Sequence, residues 1–190
     1  MKSLSLTKPH LMILVGIPGS GKSFFAEKFA ETFHTAFVQQ EKIAEYAADP
    51  AGAKQLASMQ LGQLLKTKQP IIFEGDTHTR AERLELAKAA RAAGYDALTI
   101  WVQTDPATAK ARALRDKATT LTNDTYDRAI ARFTPPNNLE NPVVVSGKHT
   151  YASQAKVVLL RLSSPRAEIS RQIAAPARPE RHGRQRIAIG

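Results

Sequence analysis

Residues Gly16-Ile17-Pro18-Gly19-Ser20-Gly21-Lys22-Ser23 follow the spacing G-x-x-x-x-G-K-[ST]. The chemistry this spacing serves is phosphate binding. Glycines let a turn close around an anion with backbone N–H groups pointing inward and no Cβ in the way. A helix starting at the end of the turn adds its positive N-terminus to the same anion. A lysine at this place reaches the β- and γ-phosphates of a nucleotide, and a serine hydroxyl after it can hold Mg²⁺. Gly16, Ile17, Pro18, Gly19, Ser20, Gly21, Lys22 and Ser23 are therefore the candidate ATP-binding residues, with Lys22 also a candidate for stabilising charge during reaction.

Such a site needs an acid at the end of a neighbouring strand to orient the metal. Ile71-Ile72-Phe73-Glu74-Gly75-Asp76 provides two, and either Glu74 or Asp76 is expected to hold Mg²⁺ through water together with Ser23. Phosphoryl transfer also needs cations around the migrating group. Arg112 and Arg115 lie three apart, hence on one helix face, with Lys117 just beyond them. Arg128 and Arg132 repeat the pattern with a weaker claim. His78 follows the acid pair in the loop. Trp101 and the phenylalanines at 24, 25, 29 and 33 read as packing residues.

Elements that would position these groups are legible in the apolar runs. Five short segments, Leu11–Val15, Thr35–Gln39, Ile71–Glu74, Ala97–Gln103 and Pro142–Ser146, are apolar without strict alternation, as strands covered on both faces are. Helical patterns fall between them. Ser23–Phe33 carries the phenylalanines. Ala51–Lys68 is expected to turn Leu56, Met59, Leu61, Leu64 and Leu65 to one face. Arg80–Ala93 stops at Gly94. A helix opening at Asp105-Pro106 has a cap and a proline at its first position. Thr122–Arg132 stops before Pro135, and Tyr151–Leu162 is the last helix. Strands alternating with helices predict an α/β fold in three layers around a five-stranded, mainly parallel sheet, and the Gly16–Ser23 loop makes it a P-loop NTPase-type fold. Residues 1–162 are expected to form this unit, and 163–190 a mobile basic tail.

Composition removes several alternatives. The chain has 190 residues and no cysteine, which excludes a disulfide scaffold, a thiolate zinc site and a cysteine nucleophile. Its histidines form no HExxH pair. No apolar run approaches the ~18 residues of a membrane helix, so a cytoplasmic protein without a membrane partner is expected. Net charge is +10, which attracts phosphate-bearing partners. The tail carries six arginines against two glutamates, suiting RNA or another polyanion, although no aromatics are interleaved for base stacking.

Taken together, the motifs resemble the P-loop kinases of the polynucleotide-kinase type, within the broad group of AAA-domain ATP-binding proteins. The loop Gly16–Ser23 has the spelling favoured there. Glu74-Gly75-Asp76-Thr77-His78-Thr79-Arg80-Ala81-Glu82-Arg83 is similar to that family's strand end followed by an arginine opening a helix. Asp105-Pro106 with Arg112 and Arg115 resembles its arginine-bearing lid, and Arg132-Phe133-Thr134-Pro135-Pro136 with Glu140 and Val143–Gly147 its closing segment. The likeness covers residues 10–162. It implies an aspartate after the second strand as general base, with an arginine three residues on. Here Glu41 occupies the place of the aspartate and Ala44 that of the arginine, while Lys42 supplies a nearby positive charge.

The expected activity is Mg²⁺-dependent ATP binding with transfer of the γ-phosphoryl group to a hydroxyl acceptor, either a 5′-hydroxyl nucleic acid or a small molecule. Lys22, Glu41, Arg112 and Arg115 are the candidate catalytic residues. An ATPase or nucleotide switch without an acceptor is the alternative. No Asn-Lys-x-Asp base-reading motif is present, which argues against a GTPase.

Overall fold

The structure, a computed structural model, describes residues 6–116 and 121–163. The order is β1 (His10–Val15), α1 (Lys22–Phe33), β2 (Ala36–Gln39), α2 (Gln40–Ala44), α3 (Pro50–Lys66), β3 (Ile71–Glu74), α4 (Arg80–Ala92), β4 (Asp96–Gln103), α5 (Pro106–Arg115), α6 (Asn123–Arg132), a 3₁₀ turn (Asn138–Glu140), β5 (Val143–Ser146) and α7 (Tyr151–Ser163). Lys117 and the expected tail, apart from Ser163, lie outside the described residues.

The strands pair in the order β2-β3-β1-β4-β5. Every pairing is parallel, where the sequence suggested only mainly parallel. β1 sits in the middle, and Leu11 to Val15 are completely buried there. One core layer packs α1 and α7 against the sheet through Phe25, Phe29, Val158 and Leu162. The opposite layer packs α3 and α4 through Ala57, Leu61, Leu65 and Ala90. Trp101 is partly buried against this second layer.

Two packing expectations are corrected. α3 buries Ala53, Ala57, Leu61 and Leu65, an i, i+4 stripe. Leu56 and Met59 face outward, at 41 % and 61 % exposure. Small alanines let the helix approach the sheet, so the interface selects shape over hydrophobicity. Phe24 is 56 % exposed rather than packed, because Phe25 and Phe29 already occupy the inward face of α1.

Because the sheet is parallel, all carboxyl ends of its strands fall on one edge. The chain enters at central β1, fills the β2 side, then crosses β1 to reach β4 and β5. The loops after the strands therefore converge where the sense of winding reverses, the usual place for a ligand crevice in an open parallel sheet. No helix among the described residues is long and apolar enough to cross a membrane.

Candidate active site

The loop between β1 and α1 has the shape its glycines predict. Gly19 and Gly21 lie at φ of 74° and 100°, in the left-handed region. A Cβ on Gly19 would collide with the carbonyl of Ala109, so the loop lies flush on α5. The N-cap of α1, Gly21, gives the helix no side-chain cap, so its first N–H groups are open to an anion. Lys22 folds back and donates from Nζ to the carbonyl of Ile17 at 3.1 Å, across the cradle. Burial there pulls the pKa of its ammonium down, against the opposing pull of the Glu74 and Glu41 carboxylates.

Below the loop, the Ser23 hydroxyl donates to Glu74 Oε1 at 2.8 Å. Glu74 is 7 % exposed, and its Oε2 has no hydrogen-bond partner. Burial raises its pKa, opposed by Lys22 and the Ser23 hydrogen bond. A buried carboxylate oxygen without a partner, joined to a hydroxyl at the foot of a phosphate cradle, fits a hard oxygen-seeking cation. Asp76 is placed differently. Its backbone N–H donates to Gln40 Oε1 at 3.0 Å, and its carboxylate lies 3.8 Å from Lys54 Nζ. Among the described residues no cluster of three His, Asp or Glu side chains could hold a metal alone, so Mg²⁺ would share its ligands with the nucleotide.

A cleft of about 810 Å³ runs over the loop, bordered by Lys22, Glu41, Glu74, Asp76, His78 and Arg112. Glu41 stands in the first turn of α2, exposed. Lys42 points away, with Nζ 2.9 Å from Glu27. Ala44 borders the cleft where the resemblance implied an arginine. Arg112 donates from Nη1 to the Gly147 carbonyl at 3.0 Å, bracing the loop after β5. Arg115 does not border the cleft; it ends α5 exposed, because α5 docks through Ala109 and Ala113. Arg132 lies 3.5 Å from Glu82 and also stands outside. His78 borders the cleft with Nδ1 lacking a partner, and burial followed by the charge of Lys22 lowers its pKa.

Other residues shape this site without a sequence signal that singles them out. Thr104 donates to the Ser20 carbonyl at 3.0 Å, and Gly147 N–H to the Gln103 carbonyl at 2.8 Å, so the ends of β4 and β5 buttress the phosphate loop. Arg83 is buried in α4 and forks onto Glu140 through Nε and Nη2, at 2.6 and 2.9 Å. Its Nη1 reaches the carbonyls of Thr77, His78 and Thr134, which fixes the loop carrying His78. Both residues fell inside the resemblance, but nothing local showed that they meet.

The AAA domain family profile matches residues 11–136, which spans this whole arrangement up to the segment after α6. No curated protein matches the chain. Among solved structures, a candidate kinase from Chloroflexus aurantiacus J-10-fl aligns with a TM-score of 0.66 at 16 % identity, covering 84 % of this chain and 100 % of that one. A gluconokinase from Sinorhizobium meliloti 1021 aligns with a TM-score of 0.62 at 16 % identity, covering 87 % and 95 %. The APS kinase of Mycobacterium tuberculosis, solved with AMPPNP and APS, aligns with a TM-score of 0.58 at 16 % identity, covering 83 % and 99 %. These likenesses show a P-loop kinase-like fold.

Proposed function

The chain belongs to the AAA domain family, and on that premise we propose that it binds Mg·ATP and transfers the γ-phosphoryl group to a hydroxyl of a second substrate. The Ser23–Glu74 pair carries this reading: a hydroxyl and a buried carboxylate with one free oxygen, set directly under the cradle that holds Lys22.

Each residue has a distinct task. The amides of Gly16 to Ser23 and the N-terminus of α1 hold the phosphates. The Lys22 ammonium moves from the Ile17 carbonyl to the β- and γ-phosphates, gaining a full negative partner for a neutral one. Ser23 with Glu74, or Asp76, would hold Mg²⁺, which when bound offsets phosphate charge. Glu41, exposed at the cleft wall, accepts the proton of the acceptor hydroxyl. The acceptor oxygen bonds to the γ-phosphorus while the bond to the β–γ bridging oxygen breaks and ADP departs. Arg112, which borders the cleft from α5, leaves the Gly147 carbonyl and offsets charge on the migrating group. Arg115 needs a movement of α5 to take part.

A second reading, ATP hydrolysis without an acceptor, is favoured by one observation. Lys42 is engaged with Glu27, so it does not stand in beside Glu41 for the arginine that the resemblance implied at Ala44. The discriminating experiment measures ADP release from Mg·ATP, with Lys22→Ala as control, alone and with pooled hydroxyl acceptors. Turnover that rises with one pool and vanishes in Lys22→Ala supports a kinase. Lys22-dependent turnover that ignores every pool supports hydrolysis. Absence of Mg·ATP binding to the unmutated chain overturns both.

A further inference from the structure

Resting on the reading that the phosphates bind at residues 16–23, we propose that the acceptor is a small hydroxyl-bearing molecule with no anionic group, favoured when it carries an ammonium group.

The argument starts from the sign of the charges on the cleft wall. Among the described residues bordering it, Lys22 and Arg112 are the only lysine and arginine, and both belong to the phosphate end. Glu41, Asp49, Glu74 and Asp76 border the cleft from the ends of β2 and β3 and the elements after them, and Asp116 borders it from the end of α5. The excess of acid is concentrated on the β2 side. There α2 brings Glu41, and the N-cap of α3 brings Asp49.

Lys54 offsets Asp76 at 3.8 Å, but Lys42 is drawn away to Glu27 at 2.9 Å, and neither Glu41 nor Asp49 has an ion pair among the described residues. Between the acids the wall is small and apolar, with Ala44, Ala47, Ala48 and Ala53 leaving room beside the exposed ring of Phe24. The unpartnered, buried Oε2 of Glu74 borders the same space, independent of the surface acids, and marks it as built for a ligand.

A phosphate, sulfate or carboxylate on the acceptor would meet Glu41 and Asp49 on the β2 side, where no lysine or arginine among the described residues borders the cleft. An ammonium group would meet Glu41 and Asp49, and hydroxyls would find acceptors all along the wall. The volume of about 810 Å³ fits a nucleotide with one small co-substrate. A 5′-hydroxyl polynucleotide is therefore disfavoured, although the whole chain is strongly basic.

Asp49→Asn tests this cleanly. Asp49 Oδ1 caps α3 by accepting the Gly52 N–H at 2.7 Å, and asparagine caps equally well, so the variant removes charge without removing the cap. Two probes are titrated into the full chain loaded with Mg·ADP: kanamycin, a polyhydroxy polycation, and a 5′-hydroxyl oligothymidylate. A chain of net charge +10 repels a polycation elsewhere, so Asp49-dependent kanamycin binding reports on the cleft. The expected result is kanamycin binding weakened about threefold in Asp49→Asn, as for one exposed charge pair, with oligothymidylate binding unchanged. In parallel, phosphoryl transfer from ATP is compared for kanamycin, glucose and gluconate, and the expected order is kanamycin, then glucose, then gluconate. Preference for gluconate or the oligonucleotide, or kanamycin binding indifferent to Asp49→Asn, overturns the proposal. If Mg·ADP itself fails to bind, or binds equally to Lys22→Ala, the underlying nucleotide reading fails instead.

Discussion

Replacing Glu140 by Gln isolates the most heavily bonded buried charge in the described structure. Arg83 is 2 % exposed, and Glu140 is its counter-charge through two hydrogen bonds at 2.6 and 2.9 Å. Glutamine keeps one acceptor oxygen but turns an NH₂ toward the guanidinium and removes the negative charge. Breaking a buried pair from one side costs about 3–5 kcal/mol, since the remaining ion stays buried without a partner. The retained oxygen and the three carbonyls on Nη1 place Glu140→Gln near the lower end of that range. Against a typical stability of about 5–15 kcal/mol, this is a large fraction. Arg83→Met, tested with Glu140→Leu, closes a double-mutant cycle. The pair should recover much of the single-mutant loss, because an apolar pair of similar volume is often tolerated where an unpaired charge is not. The pH dependence provides an independent check. Burial pushes the Glu140 carboxyl up, but the Arg83 hydrogen bonds, the Asn137 amide and the charges of Arg83 and Arg80 outweigh it and hold the pKa below the ordinary 4.5. A depressed carboxylate contributes stability that is present above its unfolded value and is lost as pH falls through the folded one. Urea unfolding should therefore show a constant gap between wild type and Glu140→Gln from neutral pH to about 4.5, closing below it. A gap under about 1 kcal/mol at pH 7, or one that widens in acid, would refute the reasoning.

Three further changes probe the candidate site. Gly147→Ala drives a Cβ into the carbonyl of Ser20 and the hydroxyl of Thr104, so overpacking should cost about 1–3 kcal/mol and weaken ATP binding together; intact affinity in an equilibrium titration would argue against the buttress. Burial raises the Glu74 pKa, so Glu74 costs wild type stability as pH rises from the ordinary 4.5 through that elevated value, whereas Glu74→Gln should lack this contribution and be more stable at neutral pH by about 1 kcal/mol. The same variant should lose Mg²⁺-dependent nucleotide affinity, and a melt profile identical to wild type would count against the buried carboxylate. Ser23→Ala removes the hydroxyl on Glu74 Oε1, so it should lower turnover at least tenfold and cost about 1–3 kcal/mol of stability by leaving that buried oxygen without its donor; unchanged turnover would detach Ser23 from the metal.

What could be read from the sequence was local. The phosphate loop is set by glycines at fixed spacing, and the strands by uninterrupted apolar runs, so Ile71–Glu74 and the start of α4 at Arg80 fall where the residues place them. The N-cap of α5 at Asp105 also needed only its neighbours, accepting the Thr108 N–H at 2.9 Å. Failures came where partners are distant in the chain or where shape outranked hydrophobicity. α2 is five residues of mixed polarity, with no period to detect. The alanine stripe of α3 carries less hydrophobicity than Leu56 and Met59, yet it is the stripe that fits the sheet. Arg83 and Glu140 are joined across two helices and β4, and Gly147 touches the phosphate loop from the far end of β5. Arg112 and Arg115 share a face by spacing, but the docking of Ala109 and Ala113 leaves only Arg112 at the cleft.

The contrast between a basic chain and an acidic cleft wall resolves once distance is considered. Exposed charges are screened within about 8 Å at physiological salt, so the net +10 acts on a ligand approaching the surface, not on one already seated. Mg·ATP arrives as an anion and is drawn by that outer field toward Lys22 and Arg112. A molecule inside the cleft is judged by neighbours at contact distance, which on the β2 side are Glu41, Asp49 and apolar alanines. One net charge can thus favour the nucleotide during approach while the local wall rejects anionic acceptors. On this reading, overall basicity is poor evidence for a polynucleotide substrate, since the charges that would have to grip its phosphates do not stand on the described acceptor side.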